Sequence, residues 1–136
     1  MKRRTEILFT ALLLICLFLI IKMNLGSTWK SEKTIVSNEY YSEYEIDQAM
    51  NRVKTHFRLH FKGCTLFELV YDDAKQIPEW ADVYGDDDAI LLISRFKVGD
   101  SGGDGSLNPD TIYGGFQWIL TRKKDGKWVL RTWGYG

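Results

Sequence analysis

Fifteen consecutive residues, Ile7 to Ile21, read ILFTALLLICLFLII and hold one weakly polar side chain, Thr10. Lys2, Arg3 and Arg4 precede them. A helix that is apolar on every side has no face to show to water, so it cannot serve as the amphipathic helix of a globular domain. Met23 and Leu25, flanking Lys22, extend the run to near the ~20 residues that cross a bilayer. Lys22 can lay its stem along the lipid and raise its ammonium to the interface. Residues 1–25 therefore read as a transmembrane anchor, with a cytoplasmic basic flank at 1–6 and a lipid-embedded part at 7–25. The three basic residues hold the N-terminus inside, which places the remainder of the chain outside the membrane.

A secretory signal peptide shares the basic start but ends at an A-x-A-like cleavage site. Gly26 and Ser27 are the nearest small residues, and Asn24 and Leu25 stand two positions upstream of them. Cys16 follows Ile15 in mid-run, where a lipid-attachment cysteine would follow a small residue. An uncleaved single-pass anchor in the cell membrane is expected, with cleavage as the alternative.

The chain has equal numbers of basic and acidic residues, 18 of each. Residues 31–136 alone carry 8 Lys and 5 Arg against 11 Asp and 6 Glu, a net charge of −4. A mildly acidic outer domain does not suit a nucleic-acid partner, which wants a basic face. Repulsion from anionic headgroups should also keep the domain off the bilayer surface. Cys16 lies in the membrane and Cys64 in the domain, so they cannot pair. The domain must stand on its core, and Cys64 reads as a buried small hydrophobe.

Residues 26–41 are polar and aperiodic, and read as a linker that lifts the domain off the bilayer. Residues 42–136 form the extracytoplasmic domain. Ser42-x-x-Glu45 is a capping box. Ile46, Met50, Val53, Phe57 and Phe61 follow at helical spacing, which predicts a helix over 43–62 ending at Gly63. A strand is expected at 64–71, a short helix at 79–84 after Pro78, a charged turn at Asp86–Asp88, and further strands at 89–98, 113–123 and 127–135. Asp125-Gly126 reads as a two-residue hairpin turn with positive φ at both centres. The fold class is then α+β: a long and a short helix packed on a four-stranded, mainly antiparallel curved sheet.

With that turn, Trp118 faces Trp133, Phe116 faces Tyr135 and Leu120 faces Arg131, all on the helix side of the sheet. Ile119, Thr121, Trp128, Leu130 and Thr132 fall on the other side. An arginine among aromatics needs a carboxylate, and Glu68, Asp72 or Asp73 is the expected partner.

GCTLFELVYDD, PEWADVYG, GGDGSLNPD and the closing WGYG resemble an uncharacterised family of Gram-positive extracytoplasmic proteins, many of them lipoproteins. The resemblance spans Tyr40 to Gly136 and implies the location, but no activity. The element order also resembles an NTF2-like cone, a curved sheet wrapped on helices with a pocket at its open end.

Candidate ligand-binding residues follow from these placements: Arg131, Trp118, Trp133, Tyr135 and Glu68 at a sheet pocket, and Asp100, Asp104 and Asn108 in the loop DSGGDGSLNPD. The loop offers oxygens, but the spacing and missing terminal Glu depart from an EF-hand, so no metal is expected there. His56 and His60 are one helical turn apart without the Glu of a zinc-protease motif. They read as half-buried or exposed helix residues with no carboxylate neighbour, which disfavours an acid–base enzyme. No catalytic residue and no cofactor are expected. The function expected is a membrane-anchored extracytoplasmic module that binds a small ligand or a neighbouring membrane protein. A structural accessory subunit of a membrane complex is the alternative, with a small NTF2-like enzyme after it.

Overall fold

A computed structural model describes residues 1–135. Gly136, the end of the WGYG segment and of the expected domain, lies outside the described residues. Helix α1 runs Lys2–Met23 and buries no residue. Its 22 residues extend about 33 Å at ~1.5 Å each, and it is long and apolar enough to cross a membrane.

Eight further segments follow the expected order, with one added strand. Strand β1 (Glu32–Ile35) precedes helix α2 (Glu43–His60), strand β2 (Thr65–Tyr71), a 3₁₀ turn (Asp73–Lys75), helix α3 (Trp80–Val83) and strands β3 (Asp88–Lys97), β4 (Ile112–Arg122) and β5 (Val129–Gly134). The five strands form one open sheet in sequence order. Three pairings are antiparallel, and β1 lies parallel to β2. The expected four-stranded sheet is thus five-stranded and mixed.

The extra strand comes from the stretch expected to be a linker. Thr34, Ile35 and Val36 are β-branched and suit a pleated edge. Ile35 packs on the core, and Val36 N–H donates to Tyr71 O at 2.9 Å. Lys33 reaches across to α2, 3.0 Å from Glu43 Oε1 and 2.9 Å from Asp47 Oδ1. Residues 26–41 are therefore part of the domain rather than a spacer.

Helix α2 forms as its local signals predict. Ser42 Oγ accepts from Glu45 N–H, and Glu45 Oε2 accepts from Ser42 N–H, so the capping box closes. Ile46, Met50, Val53, Phe57 and Phe61 are all buried against the sheet. Trp118 lies wholly inside this core, and its indole N–H donates to Ser94 Oγ at 2.7 Å, which satisfies a buried donor.

The β4–β5 connection corrects the expected register. Six residues, 123–128, join the strands instead of two. Asp125 takes a φ of 58°, Gly126 does not, and Gly126 N–H donates to Lys123 O at 2.8 Å. Trp118 does pair with Trp133, and Ile119 pairs with Thr132, but Leu120 pairs with Leu130. Arg131 is the extra residue of a bulge. The bulge swaps the faces of the residues before it, so Trp128 and Leu130 join the core and Arg131 turns to the opposite face.

Candidate functional site

The largest group of sequence-selected residues separates when folded. On the face away from α2, Arg131 Nε donates to Thr121 Oγ1 and Nη2 donates to Asp86 Oδ2, each at 2.9 Å. Asp86 also accepts from Thr121 Oγ1 at 2.5 Å, and its side chain is only 5% exposed. Hydrogen bonds from Thr121 and Arg131 hold its carboxyl below the usual carboxylate range. The expected carboxylates Glu68, Asp72 and Asp73 are not Arg131's partners. Glu68 sits on β2, separated from β5 by β3 and β4, and accepts from Thr34 Oγ1 at 2.8 Å. Asp86, expected in a solvated turn, is a structural group instead. Arg131 is thus tied into a hydrogen-bonded ion pair on the α3 side of the sheet, beside the Tyr84 ring.

A buried arginine, Arg122, escaped the sequence reading. Arg122 Nη2 lies 2.6 Å from Glu45 Oε1, and Nε lies 2.9 Å from Asp88 Oδ2. Its guanidinium stands 4.2 Å from the Trp128 ring centroid and 5.6 Å from that of Tyr41. Both carboxylates and both rings are spent on one cation, which ties the start of α2 to the end of β4.

The open site lies at the other end of α2. A cleft of about 430 Å³ forms between the last turn of α2, the loop between β3 and β4, and Trp133 of β5. Phe61, Cys64 and Phe116 contribute apolar lining, Leu107 and Asp104 come from the loop, and Lys62 also lines it. Within it, His56 stands 4.4 Å from His60 and 4.3 Å from Trp133 between ring centroids. Trp133 in turn stacks on the core indole of Trp118 at 6.2 Å. The order Trp118, Trp133, His56, His60 thus carries aromatic contact from the core to the surface, with Trp133 43% exposed.

The loop keeps its shape through its own backbone. Leu107 N–H donates to Gly102 O, and Asp110 N–H donates to Gly99 O. Gly102 has a φ of 71°, and a Cβ there would fall 2.5 Å from Leu107 O, so only glycine fits the turn. Asp104 accepts from Ser106 N–H and Oγ, and these bonds hold its carboxyl low. Asn108 N–H donates to the Tyr113 hydroxyl, and Asp100 is exposed. Of the three loop candidates, only Asp104 reaches the cleft. Among the described residues, no cluster of three or more His, Cys, Asp and Glu side chains could hold a metal. Tyr135 is exposed beside the cleft wall, edge-on to Phe116 at 5.6 Å.

Electrostatics narrow what the cleft can do. Burial, and then the neighbouring His60, lower the His56 pKa below its usual 6.5, so the ring is neutral at pH 7. His56 Nε2 is buried and has no hydrogen-bond partner. Burial raises the Cys64 thiol to about 11, with the Asp104 charge adding to the effect. Cys64 is therefore protonated and is no nucleophile, since the thiolate is the reactive form. The cleft is an aromatic and aliphatic hollow with the neutral His56 imidazole in its wall and Lys62 and Asp104 in its lining.

Sequence reasoning selected Trp133 and Asp104 for this site and missed the histidines. His56 and His60 each follow a stripe residue by three, Val53 and Phe57, and so border the buried face. That spacing was the available signal. No family model, curated protein or solved structure matches this chain, so the chemistry of the cleft has to carry its interpretation.

Proposed function

We propose that the chain is a single-pass, membrane-anchored binding module whose domain lies outside the membrane and takes a small ligand in the His56–Trp133 cleft. The orientation follows from the positive charges that precede α1. One observation supports the ligand most: a largely apolar hollow of about 430 Å³ lined by His56, His60 and the exposed Trp133 indole. Small-ligand sites combine an apolar lining of this size with few polar groups. The ligand class is a planar, mostly apolar body that stacks against the Trp133 indole and the neighbouring imidazoles.

The test is an NMR titration of the full chain in micelles with aromatic heterocycles such as indole and quinoline. Shifts confined to the His56 and His60 ring signals, the Trp133 indole N–H and the Leu107 methyls are expected. Leu107→Trp, which fills the hollow, should abolish them. The proposal fails if millimolar fragments leave these signals unmoved, or if Leu107→Trp binds them as well as the parent chain.

A further inference from the structure

The anchor enters the domain without a spacer. Leu25 O accepts from Gly63 N–H at 3.2 Å, Gly26 N–H donates to Arg58 O at 2.9 Å, and Ser27 N–H donates to Cys64 O at 2.9 Å. Gly26 is buried, and a Cβ on it would fall 2.5 Å from Phe57 O and 2.8 Å from Phe61 O. The last turn of α2 is therefore bonded to the residue where α1 leaves the domain. Because α1 buries nothing against the domain, it projects free of it. With α1 across a bilayer, the surface around Leu25 meets the headgroups.

That surface differs from the rest of the domain. Trp29 is 81% exposed and Leu59 is 59% exposed, both within four residues of the anchoring bonds. Lys30 Nζ stands 4.9 Å from the Trp29 ring centroid, and Arg58 Nη1 donates to Thr28 Oγ1 at 3.0 Å. Lys62 adjoins Gly63, and Lys22 ends the helix, so four cations ring the exit point of an otherwise acidic domain. Exposed indole and leucine side chains among Lys and Arg are the composition of an interfacial membrane contact.

We propose that this collar docks on an anionic bilayer surface: Trp29 and Leu59 enter the boundary between headgroups and acyl chains, and Lys30, Arg58 and Lys62 lie against anionic headgroups. The net negative charge of the domain argues by itself for repulsion from the bilayer, and the four cations at this end oppose it locally. The proposal rests on α1 spanning the membrane and not on any ligand of the cleft. Docking would set His60 and Lys62, which also line the cleft, at headgroup level.

The experiment uses the full chain, carrying Cys16→Ala, in lipid nanodiscs. Co-elution of the chain with the discs first establishes insertion, and a chain that stays out of them overturns the proposal along with the anchor. A nitroxide is then placed at Leu59→Cys, or at Val83→Cys on exposed α3 as the aqueous reference; Cys64 is buried and stays unlabelled. In discs rich in phosphatidylglycerol, the residue-59 label should be several-fold less accessible to a nickel chelate, and more accessible to oxygen, than the residue-83 label. Phosphatidylcholine discs, or the triple change Lys30→Gln, Arg58→Gln and Lys62→Gln, should erase most of that contrast. Equal nickel accessibility at both positions in inserted, anionic discs overturns the docking. Equal shielding in both lipid compositions overturns the role of the cations.

Discussion

Gly26→Ala is the sharpest perturbation of this architecture. The glycine's φ is not in the left-handed region, so alanine meets no local backbone penalty. What it meets is the backbone of α2: a Cβ 2.5 Å from Phe57 O, 2.8 Å from Phe61 O and 3.0 Å from Phe57 Cδ1. Two of these neighbours are helix carbonyls, which cannot swing away as a side chain can. Overpacking of this kind costs ~1–3 kcal/mol. If the segment moves off instead, the Gly26–Arg58 and Leu25–Gly63 bonds break, at about 0.5–1.5 kcal/mol each. Either route destabilises the domain by roughly 1–3 kcal/mol, or about 4–12 °C in Tm at ~4 °C per kcal/mol. Thermal unfolding of the full chain in micelles, followed by near-UV circular dichroism, measures it, and limited proteolysis should show new cleavage between Asn24 and Ser31. Gly114→Ala is the control, because nothing lies within 4 Å of its Cβ position and its φ is not in the left-handed region. A Gly26→Ala chain that melts with the parent and stays protected between 24 and 31 would refute the claim that the segment leaving α1 is clamped to α2.

Two further outcomes follow from local chemistry. Ser42→Ala opens the capping box and should cost ~1 kcal/mol, read as a lower urea midpoint with an unchanged slope. His56 has a folded-state pKa below its unfolded value near 6.5. The unfolded chain therefore takes up the proton first as pH falls, so stability declines below about pH 6.5 and levels off only beneath the folded pKa. His56→Gln should flatten that part of the stability–pH curve; an unchanged curve would mean that the ring is not buried as described.

What could be read from the sequence was what depends on neighbours in sequence. The capping box at Ser42 and the stripe from Ile46 to Phe61 are settled within a few helical turns, and α2 follows them closely. Strand β1 is four residues long and pairs in parallel with a strand on the far side of α2, so its evidence is the β-branched Thr34-Ile35-Val36 and little else. Arg131 was assigned to the wrong face because parity along a strand survives only without a bulge; one extra residue reverses it. The cleft is built from four segments distant in sequence: His56 to Cys64, Gly103 to Leu107, Phe116 and Trp133. No spacing rule connects these, and the Trp118–Trp133 pair comes out as expected because the bulged Arg131 restores the register that the different connection shifts.

The location of the domain is the claim on which the binding proposals stand, and labelling in intact cells tests it directly. Lys124→Cys places a thiol on the exposed β4–β5 connection, while Cys64 is buried and Cys16 lies within α1. A membrane-impermeant maleimide added to intact cells should modify the Lys124→Cys chain fully and leave the parent chain unmodified. Modification that appears only after the cells are lysed would place the domain inside and contradict the account.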